Sequence, residues 1–89
     1  MRSTTSRRFK KQFRDLPIEI QRQAKETYAT WKSDPFRSSL KFRRVHPAYP
    51  VYSVRIGEHW RAVAFIKDGE ATWVWIGSHS DYDKYLDSL

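Results

Sequence analysis

The stretch "VYSVRIGEHWRAVAFIKDGEATWVWIGSHSDYDKYL" (Val51–Leu86) decides the fold. Three runs in it, "VYSVRI" (Val51–Ile56), "WRAVAFI" (Trp60–Ile66) and "ATWVWI" (Ala71–Ile76), are rich in β-branched and aromatic residues and read as strands. Between the second and third stands Asp68-Gly69, the dipeptide of a type I′ hairpin, which predicts an antiparallel meander. With Lys67 opposite Glu70, Ala64 lies across from Trp73 and Ala62 across from Trp75, two small-against-large pairs on the face expected to take the helices. Arg61, Val63, Phe65, Thr72, Val74 and Ile76 are expected on the other face. A three-residue connection of Gly57, Glu58 and His59 pairs Ile56 with Trp60 and sets Arg55 opposite Arg61. Like charges facing each other on a sheet are destabilising, so something anionic is expected to offset this pair.

Working toward the N-terminus, "LKFRRV" (Leu40–Val45) alternates apolar and basic residues and reads as a further strand, followed by the two-proline loop "HPAYP". Before it the period is helical. Phe9, Phe13 and Leu16 are spaced i, i+4, i+7, with Thr4, Thr5 or Ser6 as N-cap, and predict a short basic helix running to about Asp15. Pro17 starts a second helix whose apolar stripe is Ile20, Ala24, Tyr28 and Trp31, ended by "SDPF" at Ser33–Phe36. The expected architecture is a single α+β domain over residues 1–89: a two-helix hairpin on a four-stranded antiparallel sheet, closed by a short helix after Gly77.

Composition agrees with a packed domain. Four Trp, five Tyr and five Phe in 89 residues supply the bulk that so short a chain needs. There is no cysteine, which removes disulfides, a thiolate nucleophile and the commonest zinc ligands, and suits a reducing cytoplasm. No apolar run approaches the length needed to cross a bilayer, so no membrane partner is expected. Charge is uneven: residues 1–44 hold 13 Lys/Arg against 4 Asp/Glu, whereas residues 45–89 hold 4 against 6. The first half therefore suits an acidic partner, nucleic acid phosphate or an acidic protein segment.

Arg55 and Arg61, joined by Lys41, Arg43 and Arg44, make a cationic face suited to phosphate oxygens and to charge developing in phosphoryl transfer. The plainer alternative pairs each arginine with a carboxylate such as Glu58. His79 follows the last strand, where its imidazole can reach that face and move a proton near neutral pH, or serve only as a helix cap. Tyr82, one helical turn on, can exchange a proton or stack on a base, and Asp81 and Asp83 fit a helix's first turn. His46, before Pro47, and His59, in a hairpin turn, are weaker candidates to line a site. No residue set has metal-ligand spacing, and neither a metal nor a small-molecule cofactor is expected. Metal-free strand cleavage is chemistry that RNA permits, because its 2′-hydroxyl can attack the adjacent phosphate.

The segments "YSVRIGEHWRAV" and "GSHSDYDKYL" resemble the RelE/ParE superfamily of bacterial type II toxin–antitoxin toxins, in particular the RelE-, YafQ- and HigB-like members. The resemblance covers about residues 40–86, and the helix hairpin before it fits the same layout. It implies a toxin that cuts mRNA on the ribosome and is neutralised by a cognate antitoxin. Carried over by position, Arg61 is the phosphate-stabilising arginine, Arg55 a second phosphate contact and His79 the general acid or base. Tyr82 matches more loosely, and Lys41, Arg43, Arg44 and His46 would contact RNA. Members usually open with a strand before the hairpin; here at most Arg2–Thr5 precedes the first helix, so that strand is expected to be very short or missing. The ParE branch poisons DNA gyrase instead of cutting RNA, and a non-catalytic RNA- or protein-binding relic is a further alternative.

Overall fold

The computed structural model describes residues 1–89 and places three helices on a five-stranded mixed sheet. In chain order the elements are β1 (Arg2–Thr5), α1 (Arg7–Arg14), α2 (Ile18–Ser33), a 3₁₀ turn (Ser38–Leu40), β2 (Arg43–Arg44), β3 (Val51–Ile56), β4 (Trp60–Lys67), β5 (Glu70–Ser78) and α3 (His79–Asp87). The sheet order is β1-β5-β4-β3-β2. The α+β class, the helix hairpin and a very short first strand are as expected, but that strand joins the sheet, which therefore has five strands and is mixed, not four-stranded and antiparallel: β1 pairs in parallel with β5, Arg2 opposite Glu70 through Thr5 opposite Trp73. This strand is polar and runs along a sheet edge, so it carries no apolar signature. Its partner lies nearly the whole chain away.

Ser6 ends β1 and starts α1, its hydroxyl accepting the Phe9 N–H at 3.1 Å. Its own N–H continues the sheet to the Trp73 carbonyl at 2.9 Å. Past Trp73 the outer edge of β5 has no strand beside it, and the Gln12 side chain of α1 accepts the Ile76 N–H there at 3.1 Å. At the helix–helix corner, Gln21 donates to the carbonyls of Arg14 and Leu16. The strand expected over Leu40–Val45 is reduced to Arg43–Arg44, because the 3₁₀ turn runs through Leu40 and Lys41 adopts a left-handed conformation with φ of 50°. Leu40 and Phe42 are nevertheless buried, as their spacing requires.

The β3–β4 register is as expected, with Ile56 opposite Trp60 and Arg55 opposite Arg61. In the β4–β5 hairpin, Lys67 faces Glu70 and Ala64 faces Trp73, but then the register shifts by one residue: Val63 faces Trp75 and Ala62 faces Ile76. The expected Ala62–Trp75 pair does not form. A β-bulge at Val74 puts two residues against one interval of β4 and turns the rest of β5 over. Trp73 and Trp75 consequently serve opposite faces, and Ile76 joins the helix side.

The helix-side core holds Trp31, Phe42, Val54, Ile56, Ala62, Ala64, Trp73 and Ile76 among others. Trp31, 1% exposed, sits edge-on to Trp73 (5.1 Å, 78°) and to Phe42 (5.7 Å, 74°). The indole N–H groups of Trp31 and Trp73 have no acceptor, so this packing offsets a cost of about 1–3 kcal/mol for each. The second core, on the other face, joins Val51, Val63, Trp75 and Tyr82, with Tyr85 stacked on Trp75 at 5.1 Å. That cluster holds α3 to the sheet.

Gly77 is required by this second core. A Cβ there would stand 2.7 and 2.8 Å from Cζ2 and Cη2 of Trp75, whose ring is buried and stacked. Gly77→Ala should therefore destabilise the domain by about 1–3 kcal/mol through overpacking, read as a lower urea midpoint. An unchanged midpoint would mean that α3 is not fixed by Trp75.

Candidate functional site

One cavity of about 280 Å³ opens on the α3 face of the sheet, lined by Lys41, Arg43, Ser53, Arg55, Arg61, His79 and Tyr82. Each residue arrives by a separate local rule. Strand alternation puts Ser53 and Arg55 of β3 on this face between the core residues Tyr52, Val54 and Ile56, and pairing puts Arg43 beside Ser53 and Arg61 beside Arg55. The left-handed turn at Lys41 ends the 3₁₀ segment and brings a fourth cation to the rim.

His79 is the first residue of α3. Ser78 is that helix's N-cap, its hydroxyl accepting the Asp81 N–H at 3.2 Å, so the capping role belongs to Ser78 and the imidazole is left to line the cavity. The His79 N–H donates to the His59 carbonyl at 2.7 Å, tying the start of α3 to the β3–β4 hairpin. The imidazole stacks near Tyr82, ring centres 6.0 Å apart.

The cavity holds four cations and no carboxylate. None of the four takes part in an ion pair, and Glu58 lies instead near His59, at 3.8 Å. Arg55 donates from Nε to the Gly57 carbonyl at 2.8 Å, and Arg61 from Nη1 to the Trp60 carbonyl at 2.8 Å. These bonds orient the guanidinium groups without neutralising them. The Arg61 guanidinium is held below its ordinary pKa, first by burial and next by Arg55, with Arg43 acting the same way and Tyr82 and Asp83 against it. A charged group disfavoured by its surroundings in this way binds an anion more readily than a solvated one.

The structure divides the residues singled out in the sequence. Arg55, Arg61, His79, Tyr82, Lys41 and Arg43 come together. Arg44 and His46 do not. Arg44 pairs with Tyr52 and so has the opposite side of the sheet, and its Nε donates to the carbonyls of His46 and Tyr49, bracing the loop. His46 braces it too, its Nδ1 accepting the N–H groups of Ala48 and Tyr49 while its ring stacks on Tyr49 at 4.7 Å. Tyr82 is only 8% exposed and donates its hydroxyl to Ser53 Oγ at 3.0 Å. It is a wall of the cavity before it is anything else. Ser53 was not singled out, although a serine two residues before Arg55 in an otherwise apolar strand has the parity to face the same site.

Residues 19–84 match the model of the ParE-like toxin domain family. The chain belongs to that family. The fold of this ParE-like domain is shared with solved toxins at low identity. A chain of the RelB–RelE antitoxin–toxin complex from Methanococcus jannaschii superposes with a TM-score of 0.74 at 12% identity, over 93% of this chain and 98% of that one. YafQ from E. coli strain BL21(DE3) gives 0.74 at 11%, over 92% and 98%. The YoeB/ParE toxin from Agrobacterium tumefaciens gives 0.70 at 13%, over 89% and 99%. No curated protein matches the sequence. The ParE-like domain gathers no cluster of three or more His, Cys, Asp and Glu side chains, and none of its helices is long and apolar enough to cross a membrane.

The unneutralised arginines give a thermodynamic test of the cavity. Arg61→Gln removes one of two like charges paired across the sheet and should raise stability at neutral pH by about 0.2–1 kcal/mol. Inorganic phosphate should raise the melting temperature of the wild-type domain, and do so less in Arg61→Gln, since a ligand that binds only the folded state stabilises it by mass action. Equal phosphate shifts in both proteins would place the anion elsewhere.

Proposed function

We propose that this ParE-like toxin domain is an endoribonuclease that cuts mRNA on the ribosome and is held in check by a cognate antitoxin protein. The observation that carries the reading is the convergence of four cations and one imidazole, with no carboxylate, in a single cavity. Such a site attracts a phosphodiester and provides what its cleavage needs. The 2′-oxygen attacks phosphorus, the O2′–P bond forms, and the P–O5′ bond breaks to leave a cyclic phosphate and a free 5′-hydroxyl. Negative charge grows on the non-bridging oxygens as the phosphorane forms. Arg61, partly desolvated and braced by the Trp60 carbonyl, and Arg55 beside it meet that charge. His79 carries one of the two proton transfers, accepting from the 2′-hydroxyl or donating to the departing 5′-oxygen, and solvent water entering the open cavity carries the other. Lys41 and Arg43 hold the strand at the rim. Tyr82 and Ser53 act mainly by fixing the wall behind it.

Support for an antitoxin comes from the structural relatives, several of which are toxin–antitoxin complexes, including RelB–RelE from Methanococcus jannaschii and the intact RelBE complex of E. coli. The cationic first half of the chain would suit an acidic protein segment or ribosomal RNA.

Because the family match is to a ParE-like model, inhibition of DNA gyrase is a second reading, and it requires neither His79 nor RNA cleavage. Inducible expression with mapping of new mRNA 5′ ends separates the two. Wild-type protein should generate discrete cuts within coding regions. Arg61→Ala should lose about 10²–10³-fold in cleavage rate and His79→Ala about 10²–10⁴-fold, both remaining folded. Growth arrest with intact mRNA, a DNA-damage response and no effect of His79→Ala would move the function to gyrase.

A further inference from the structure

A second cavity, of about 620 Å³, lies beside the first and shares two residues with it, Lys41 and Arg55. Its chemistry is different. Thr27 and Thr30 of α2 and Ser38 and Ser39 of the 3₁₀ turn give it hydroxyls, Glu26 and Glu58 give it two carboxylates, and Leu40 is its one apolar residue. Its two carboxylates offset its two cations, so that interior attracts a phosphate far less than the first cavity does. A nucleoside suits it, because its ribose exchanges hydrogen bonds with hydroxyls and its base presents N–H donors to carboxylates.

We propose that this second cavity receives the nucleoside next to the scissile phosphate, and that Glu58 selects bases carrying an exocyclic amino group. The inference rests on the ribonuclease reading of the first cavity. With the reacting phosphate at Arg61 and Arg55, a strand leaving that site crosses the Lys41–Arg55 boundary, the only cations of the second cavity, before its next base enters the space beyond. No aromatic side chain lines that space, so the base there is read by its hydrogen-bonding edge and not by stacking. Carboxylates accept from amino groups such as cytosine N4 and have nothing to offer the carbonyl at the same position of uracil.

Glu58 is well placed for such a role. Its backbone belongs to the hairpin turn that both arginines grip, Arg55 through the Gly57 carbonyl at 2.8 Å and Arg61 through the Glu58 carbonyl at 3.4 Å. The turn's backbone is also fixed by Gly57, whose φ of +58° is a left-handed conformation that side chains rarely adopt, with Gln23 of α2 behind it. The Glu58 carboxylate itself is 78% exposed, with only the loose contact to His59. A loop held this firmly, carrying a side chain this free, positions an acceptor beside the reactive phosphate without engaging it in the fold.

The experiment is 5′-end mapping across all transcripts after induction of wild type, Glu58→Gln and Glu58→Arg, scoring the base composition at each position beside the cuts. Wild type should disfavour uracil at one adjacent position by about fivefold or more, in the range of a lost amino–carboxylate contact. Glu58→Gln, which can also donate to a carbonyl, should erase that bias. Glu58→Arg should turn it toward guanine, whose O6 and N7 accept from arginine. Cuts with the same base profile in all three proteins would overturn this proposal and leave the ribonuclease reading standing. Absence of cuts by wild type would overturn both.

Discussion

Val74 has no partner across β4, and that single extra residue lets one strand serve two cores. Before the bulge, Trp73 fills the space under α2 against Trp31; after it, Trp75 faces the other way and becomes the seat of α3. Had the pairing continued without a shift, both tryptophans would have crowded the helix side, and α3 would have had no aromatic platform. Since His79 is the first residue of α3, its approach to Arg61 follows from where Trp75 points. The bulge thus fixes the hydrophobic partition and the shape of the cationic cavity together.

The arginine pair shows the opposite balance. Everywhere else the domain satisfies its charges or leaves them in solvent, as with Arg22 near Glu19 and Glu26 on the exposed face of α2. At the cavity it gathers like charges, partly buries one of them, and orients them with backbone carbonyls. Orientation without neutralisation lowers stability locally, and an arriving anion recovers it. A fold with two aromatic cores can carry that deficit in a way that a loosely packed chain of the same length could not.

Much of this was legible in the sequence. β3 needed only its alternation and flanking glycine, the β3–β4 pairing needed only the three-residue turn, and from these Arg55 and Arg61 came out opposite each other as the structure has them. The bulge was not legible, because "WVWI" is apolar at every position and either register buries something large. The short β1 has the expected place, but its membership of the sheet is not legible, because polar edge strands have no period and its parallel partner is remote. The basic strand at Leu40–Val45 was overestimated because burial of Leu40 and Phe42 looks the same from a 3₁₀ turn as from a strand. Arg44 and Arg43, adjacent and chemically alike, could be told apart only by which strand partner each meets. Tyr82 shares a helix side with His79, as the spacing required, yet only the position of Trp75 reveals that this side is buried.

The pairing of β1 with β5 also has a consequence for the order of events during synthesis. Residues 2–5 must wait for residues 70–73 before their edge of the sheet can close. Contacts of such long separation are entropically costly to form and slow a chain's folding. His79 lies later still, so a nascent chain carrying α1, α2 and the four strands β1–β4 has its arginines but neither its imidazole nor its finished sheet. Assembly of the cationic cavity is therefore among the last steps of folding, and the time between emergence of β1 and arrival of β5 is an interval in which the sheet exists without its closed edge or the imidazole beside its arginines.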